Sequence, residues 1–480
     1  KWHAKMRVLV IYITILALSS FAEADSIFKQ IFEDLHREPP VNYIKGRSTI
    51  RTEWIQQKLD NFNTSDTRTW KMRYMANDQY FKDNGPIFIF VGGEWAISEG
   101  YLRGGHMFDM AKDLNGYMFY TEHRYYGKSY PTEDLSTENL QYLSVEQSLA
   151  DLAHFIKVIK TTVPGLSNSA VILVGGSYSA TMVTWFKRLY PEVATGSWGS
   201  SAPLLAKVDF TEYKEIVGES IKLVGGQKCY DRINIAFKQL EEMLANNKAD
   251  EVKEMFKICD NFDTSNKKDI WSFFGSLSDV FAGLVQGHNA GDIEKACEKI
   301  LSAEDDTLGV ASWILSKTGS SKCIDFSYSE AIKDLNDTKI TDNSIMRQWF
   351  YQTCSEYGWY QTSGSKNQPF GSSFPVELYT STCRDAYGEK FSNATIYGNT
   401  FRTNLAYGGM SPNVSNVILT HGQLDPWRTM GVQEHEEGDS NVVPLYAHCK
   451  DLASISMKDT DEMRATKEKV KEVVHKWLNI

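Results

Sequence analysis

One ten-residue stretch, VILVGGSYSA at 171–180, constrains the fold of this chain more than any other. Its aliphatic and β-branched start, 171–174, is typical of a strand that is buried on both faces. Residues 181–190 predict a helix that stops near Pro191, because proline cannot continue a helix. A strand and a helix joined by so short a turn indicate a layered α/β structure.

The turn itself holds a serine between small residues. Gly175, Ser177 and Ser179 follow the spacing Gly-x-Ser-x-Gly, with serine in place of the last glycine. The outer positions must be small because the strand and the helix pack against each other there. The pattern predicts a nucleophile elbow, which exposes the central serine at the end of the strand. A plain glycine-rich turn after a core strand is the alternative for this stretch taken alone.

Strands and helices alternate around this turn, which indicates a mostly parallel sheet and the α/β class. The first two predicted strands are expected to pair in an antiparallel arrangement. Apolar residues recur at helical spacing over 144–160, which predicts a helix between two of the strands. The predicted strands of this part lie at 54–63, 70–75, 86–91, 117–122, 171–174 and 193–202.

The pattern changes further along the chain. Mainly helical periodicity occupies 206–395, which predicts a helical cap inserted into the α/β domain. Strand patterns return at 417–420 and 442–446, before a final amphipathic helix. The α/β domain therefore comprises 45–205 and 396–480, and we expect an α/β-hydrolase fold with the cap between its two parts.

The first 24 residues predict a secretory signal peptide. Lys5 and Arg7 precede the apolar run 8–18, and Ala-Glu-Ala at 22–24 supplies a cleavage pattern. The run is shorter than the roughly 18–20 residues that span a bilayer, and no later stretch reaches that length. A buried first helix is the alternative. We therefore expect a secreted, lysosomal or vesicular protein without a membrane span.

Cysteines and glycosylation signals agree with a secretory route. Six of the seven cysteines fall between residues 229 and 383, which predicts three disulfides in the cap, with the pairing left open. Cys449 is the expected odd cysteine. The wide spacings argue against zinc, and we predict no metal or other cofactor. Sequons, which must be exposed if they are used, lie at Asn63, Asn336, Asn393 and Asn413.

Three residues at predicted strand ends fit a hydrolytic site. Ser177, Asp425 and His448 each follow a strand, where open α/β sheets place their catalytic groups. Their order along the chain, Ser-Asp-His, is that of α/β-hydrolases. A serine hydroxyl needs a neutral imidazole to accept its proton, and the imidazole needs a carboxylate to hold its tautomer. We therefore predict these residues as nucleophile, acid and base.

Other histidines and acids fit these roles less well. His123, in the motif EHRYYG, is the main rival base, but it precedes the serine in the chain. His421 lies beside the acid loop and is expected to be structural. Glu437 and Asp439 lie in the polar stretch EHEEGDS and are expected to be solvated.

A tetrahedral intermediate would need backbone N–H donors for its oxyanion. Tyr178, directly after the nucleophile, is expected to supply one, and Gly93 or Glu94, after the strand 86–91, the other. The Glu94 side chain has two alternative roles. It can bind the amino terminus of a substrate, or it can pair with Arg124, and the salt bridge is the favoured alternative.

Four motifs together resemble the prolyl carboxypeptidase family of serine peptidases: EHRYYG, GGSYSA, HGQLDPW and AHCKDL. The segment 58–74, the tripeptide GGE at 92–94 and YQTCSEYGWYQT at 351–362 are similar to its thymus-specific branch. The resemblance covers about 55–452. It implies a hydrolase domain with a helical insertion, a secreted or acidic compartment, and cleavage next to proline.

The resemblance carries the three catalytic roles to the nucleophile, acid and base named above, and it adds substrate contacts. Trp427, beside the acid, is a candidate wall for a proline ring, with plain core packing as the alternative. Glu356, within YQTCSEYGWYQT, is a candidate to face the active site. Cys449 stands where the Pro-X carboxypeptidase branch has a second histidine, as in the thymus-specific branch.

The sequence thus predicts a serine exopeptidase that works through an acyl-enzyme, as a carboxypeptidase or a dipeptidyl peptidase. A non-catalytic peptide-binding glycoprotein and an esterase on the same fold are the alternatives. Peptides are the expected partners, and a homodimer stays open. The formal net charge of −10 argues against non-specific binding to nucleic acid or anionic membranes.

Overall fold

A computed structural model describes residues 33–43, 49–317, 323–341, 345–434 and 441–480. The predicted signal peptide, together with Glu437 and Asp439, lies outside the described residues. The strands are β1 (Arg51–Lys58), β2 (Thr69–Asn77), β3 (Ile87–Val91), β4 (Tyr117–Thr121), β5 (Val171–Gly176), β6 (Gly196–Ser200), β7 (Lys207–Asp209), β8 (Gly358–Tyr360), β9 (Val417–Gly422) and β10 (Val442–Val443).

Eight of these strands form one central sheet in the order β1-β2-β4-β3-β5-β6-β9-β10. The pairs β1–β2 and β2–β4 are antiparallel. The remaining neighbours in this order, β4-β3-β5-β6-β9-β10, pair in parallel. Every residue of β3, β4 and β5 is buried. This explains why their sequences are continuous apolar runs, since helices cover both faces of the sheet. The chain has the α/β-hydrolase fold.

Helices on the two faces bury two separate apolar clusters. Helices α2 and α3 pack on one face, and α1 and α14 pack on the other. The helices are α1 (His106–Asp113), α2 (Val145–Thr162), α3 (Tyr178–Leu189), α4 (Glu212–Gly225), α5 (Gln227–Ala245), α6 (Ala249–Phe256), α7 (Lys267–Gln286), α8 (Asp292–Leu301), α9 (Asp306–Leu315), α10 (Tyr328–Asn336), α11 (Met346–Gln352), α12 (Val376–Tyr387), α13 (Asn393–Tyr407) and α14 (Asp461–Leu478).

The insertion between β6 and β9 is mainly helical, as predicted, and contains α4 to α13. A short parallel pair, β7–β8, that the sequence did not predict lies within it. The three expected disulfides join Cys229 to Cys297, Cys259 to Cys323 and Cys354 to Cys383, and Cys449 is free and buried. The exact domain boundaries stay a prediction.

Several predicted elements differ in extent from those observed, among them β1, predicted at 54–63, and β6, predicted at 193–202. Helix α3 begins at Tyr178, not at residue 181, and β10 contains two residues rather than five. The helix begins early because the sharp turn is completed by Ser177 alone, whose backbone has a positive φ of 57°. Within the described part of the chain, no helix is long and apolar enough to cross a membrane.

Candidate active site

The turn between β5 and α3 has the geometry of a nucleophile elbow. Ser177 adopts φ 57° and ψ −130°, a conformation that side-chain-bearing residues rarely adopt and that tertiary packing must maintain. A Cβ at Gly175 would lie 2.4 Å from the carbonyl oxygen of Ser179, so only glycine fits there. The Ser179 hydroxyl accepts the Gly176 N–H at 2.9 Å. Serine at the last position of the motif therefore helps to close the turn.

Asp425 and His448 meet at the carboxyl ends of β9 and β10. The Asp425 Oδ1 atom lies 2.9 Å from His448 Nδ1 and also accepts the Trp427 N–H at 3.0 Å. Asp425 is fully buried. The backbone N–H of His448 donates to the carbonyl of Gln286 at 3.3 Å. The acid in the loop after β9 therefore holds the imidazole, and the end of helix α7 holds the backbone of His448.

The charges of this pair stabilise each other. Burial opposes the protonated imidazole, but the Asp425 carboxylate, together with Cys449, outweighs it and raises the pKa of His448 well above its usual range. Burial likewise opposes the ionised acid, and the charge and hydrogen bond of His448 hold the pKa of Asp425 below its usual value. The arrangement therefore favours an ionised carboxylate that orients the imidazole and stabilises its protonated form.

The serine turn and the histidine loop are both fixed to the end of β6. The N–H of Ser177 donates to Ser200 O at 2.9 Å, and the N–H of Cys449 donates to Ser201 Oγ at 3.0 Å. Among the described residues, His448 Nε2 is buried and has no hydrogen-bond partner. Catalytic hydrogen bonds often form fully only with substrate bound, and in the neutral imidazole this nitrogen is an acceptor that can take a proton from Ser177.

The rival histidines lack a carboxylate hydrogen bond within the described residues. His123 donates from Nδ1 to Arg124 O at 2.7 Å and accepts the Tyr178 hydroxyl at 3.1 Å. Burial lowers the pKa of His123 to about 3 and that of His421 to about 4, so both rings are neutral. The sequence order of Ser, Asp and His agrees with this geometry.

An aromatic cleft opens in front of Ser177. The ring centroids of Trp359 lie 5.6 Å from those of Trp427 and 6.2 Å from those of Trp349. Trp349 and Trp359 were not predicted as site residues, although Trp359 lies in YQTCSEYGWYQT and Trp349 lies two residues before it. The residues that line this cleft are Leu35, His36, Glu94, Ser177, Tyr178, Pro203, Trp349, Trp359 and Trp427.

The prediction that Glu94 pairs with Arg124 in a salt bridge was wrong. Arg124 pairs instead with Asp151 on α2, through contacts of 2.7 and 2.9 Å. The guanidinium lies fully buried beside α2, where Asp151 is its carboxylate partner. Glu94 faces the cleft, where its Oε1 lies 3.2 Å from Nδ1 of His36. Gly93 and Glu94 follow β3 as expected, and their role as donors stays a prediction.

The expectation that Glu356 faces the active site was also wrong. Its carboxylate accepts the N–H of Val145, the first residue of α2, at 3.0 and 3.2 Å. An anion at a helix N-terminus satisfies unpaired N–H groups and interacts favourably with the helix dipole. Burial outweighs this contact and raises the pKa of Glu356 from 4.5 to about 7. Glu356 is therefore a structural residue.

This shift predicts a pH-dependent stability that Glu356→Gln should remove. Between pH 4.5 and about 7 the folded state holds a proton that the unfolded state releases, so stability falls as pH rises through this range. The effect is on the order of 3 kcal/mol, at 1.36 kcal/mol per pKa unit. Glutamine keeps an acceptor for Val145. Unfolding midpoints at pH 5 and pH 7 should differ less for E356Q than for the parent.

The control for this measurement is Glu377→Gln, which changes an exposed glutamate on α12. It should leave the pH dependence of the midpoint unchanged. An E356Q midpoint as pH-dependent as that of the parent would contradict the assignment.

The remaining predicted features concern modification and metals. All four sequon asparagines are exposed, and their glycosylation stays a prediction. Within the described residues, no group of three or more His, Cys, Asp and Glu side chains is arranged to hold a metal ion.

Comparison with known proteins identifies the family. The family described as Serine carboxypeptidase S28 matches residues 57–470. The thymus-specific serine protease of Mus musculus is 31% identical over 447 residues, covering 88% of this chain and 87% of that protein. The lysosomal Pro-X carboxypeptidase of Mus musculus is 26% identical over 454 residues, covering 88% of each chain. The chain belongs to the serine carboxypeptidase S28 family and is a serine-type peptidase.

Proposed function

We propose that this protein is an exopeptidase that cleaves peptides next to proline, with Ser177 as nucleophile, His448 as general base and Asp425 as orienting acid. The observation that carries the proposal is the buried 2.9 Å contact between His448 and Asp425. It lies at the same edge of the sheet as the Ser177 elbow. Membership of a serine peptidase family makes a peptide the natural substrate.

The chemistry follows from these positions. The Ser177 hydroxyl attacks the scissile carbonyl carbon while His448 Nε2 accepts its proton, and the leaving amine then takes that proton as the C–N bond breaks. Water repeats the sequence on the acyl-enzyme and releases the acid. The oxyanion of each tetrahedral intermediate is stabilised by the N–H of Tyr178 and a second N–H from Gly93 or Glu94.

The aromatic cleft supports a preference for proline. Trp427 adjoins the acid, and its indole N–H donates to Gln286 Oε1 at 2.8 Å, which fixes the plane of the ring. Trp359 stands at a steep angle to it, with an interplanar angle of 79°. Two fixed aromatic faces at such an angle suit the compact, apolar pyrrolidine ring.

The proposed location is the secretory pathway or the lysosome. Three disulfides in the insertion suit an oxidising compartment, and one relative is a lysosomal enzyme by name. Exposure of all four sequons is compatible with glycosylation along this route.

The proposal is tested with two matched proline peptides, one blocked at each end, incubated with purified protein at pH 5 and pH 7. Mass spectrometry identifies the products, and labelling by a fluorophosphonate reports the activated serine. Cleavage of only the peptide with a free carboxyl end identifies a carboxypeptidase. Cleavage of only the peptide with a free amine identifies a dipeptidyl peptidase.

Two outcomes would contradict parts of the proposal. Labelling without cleavage of either peptide would retain the catalytic residues and reject the proline preference. No labelling of either the full chain or a chain that begins at Arg37 would reject Ser177 as an activated nucleophile and favour a non-catalytic peptide-binding protein.

A further inference from the structure

Residues 33–43, here called the arm, pass directly through the cleft in front of Ser177. The carbonyl of Leu35 accepts a hydrogen bond from Nε2 of Gln286 at 2.9 Å. The ring of His36 packs on Trp349 at 4.9 Å and its Nδ1 lies 3.2 Å from Glu94. Leu35 thus contacts the cleft through its backbone carbonyl and His36 through its side chain, as two consecutive residues of a bound peptide would.

The Gln286 amide is oriented to receive a peptide carbonyl. Its Oε1 accepts both the indole N–H of Trp427 and the hydroxyl of Tyr213, each at 2.8 Å. Because both donors point at the oxygen, the amide nitrogen must face the cleft. The backbone carbonyl of Gln286 also accepts the N–H of His448. A donor fixed in this way, so close to the proposed base, is suited to binding a substrate backbone.

Glu94 supplies the second contact. Its side chain is 3% exposed, and its Oε1 faces His36. Among the described residues, its Oε2 is buried without a hydrogen-bond partner. A buried carboxylate with an unused oxygen is costly unless a cationic or donor group reaches it. The cleft therefore offers a place for a donor or cationic group, and the His36 ring lies against one of the two Glu94 oxygens.

The following part of the arm anchors it beside the cleft. The Glu38 carboxylate accepts hydrogen bonds from the hydroxyls of Ser98, at 2.6 Å, and Tyr120, at 2.9 Å. The carbonyl of Pro39 accepts the Tyr101 hydroxyl at 2.9 Å. With the arm in place, the free space left in the cleft admits about one water molecule.

We propose that the arm is an intramolecular inhibitor, and that a peptide substrate binds only when Leu35 and His36 leave the cleft. Gln286 and Glu94 then receive a carbonyl and a cationic group of the substrate in their place. This inference rests on the proposed function, because it treats the cleft as the substrate site. The fraction of molecules with the arm displaced limits the apparent rate of every reaction at Ser177.

The first test compares His36→Ala with Arg37→Ala. H36A removes the contact with Glu94, whereas Arg37 points to solvent with 64% of its side chain exposed. The second-order rate constant for fluorophosphonate labelling should rise about tenfold in H36A, the effect of one charge-assisted hydrogen bond. R37A should match the parent. A chain that begins at Arg37 keeps the anchor at Glu38 and should be labelled at least as fast as H36A.

The second test does not depend on catalysis. A fluorescein-labelled peptide with the sequence of residues 33–39, EDLHREP, is titrated into the chain that begins at Arg37, and its anisotropy is followed. Saturable binding is expected, and it should weaken about tenfold when the peptide carries His36→Ala.

These readouts separate the two proposals. Absence of labelling in every variant, with saturable peptide binding, would reject the catalytic function and keep the arm as occupant of the cleft. Unchanged labelling rates in H36A and in the shortened chain, or no saturable binding of the peptide, would overturn the inhibitory role.

Discussion

Replacing Ser177 by alanine is expected to lower kcat for peptide hydrolysis by about 10⁶-fold, the loss seen when the nucleophile of a comparable catalytic set is removed. The substitution deletes a single oxygen atom. The strained turn depends on Gly175 and on the hydrogen bond of Ser179 to Gly176, both of which remain. Folding should therefore be preserved while the acyl-enzyme no longer forms. Steady-state hydrolysis and fluorophosphonate labelling measure the loss.

The matched control is Ser167→Ala. Ser167 is exposed and precedes β5, at the opposite end of that strand from Ser177. It should show parental kcat and complete labelling, and both variants should unfold at the parental temperature. Peptide hydrolysis that persists in S177A above about 1% of the parental rate would mean that another residue is the nucleophile.

The sheet was predictable because its signals are local. A strand buried on both faces must be apolar at every position, so β3, β4 and β5 are legible from short windows of sequence. The two strands that follow the insertion could be predicted in their order along the chain for the same reason. The start of helix α3 was predicted too late because Ser177 alone forms the turn before it. That turn requires a strained backbone conformation, which residue propensities do not reveal.

Side-chain partners were harder to predict than elements. Arg124 is 30 residues from Glu94 in the chain and 27 from Asp151, and sequence distance does not choose between them; the packing of α2 does. Glu356 was assigned to the active site by its motif, yet its carboxylate belongs to the N-terminus of α2. Both errors concern buried charges, whose partners are decided by which elements meet in three dimensions.

The residues that line the cleft were equally hard to predict from the sequence. Trp349, Trp359 and Gln286 lie far from Ser177 in the chain, and they reach it only because the insertion folds back over the sheet. Nothing in the sequence of the arm indicates that His36 meets Glu94, since one side of that contact is a loop after β3. The catalytic order was therefore predictable, whereas the substrate site was not.

Replacing Asp425 by asparagine is the second decisive change, and it should lower kcat by about 10⁴-fold. Asparagine keeps the size of the side chain but loses the charge that orients and stabilises the protonated imidazole. The change also moves the pH profile. Asp425 and the neighbouring Cys449 raise the pKa of His448, whereas burial acts in the opposite direction. Without the Asp425 carboxylate, the pKa of His448 falls.

The sign of this movement distinguishes an orienting acid from a residue that merely supports the fold. A general base is inactive when protonated, so kcat/KM falls on the acid side of the base pKa. Profiles of kcat/KM against pH should therefore show an acid limb that lies at lower pH in D425N than in the parent. Asp113→Asn, with 53% of its side chain exposed, should leave both the rate and the limb unchanged. A D425N enzyme with a reduced rate and an unmoved limb would mean that the 2.9 Å contact stabilises the loop without setting the protonation of His448.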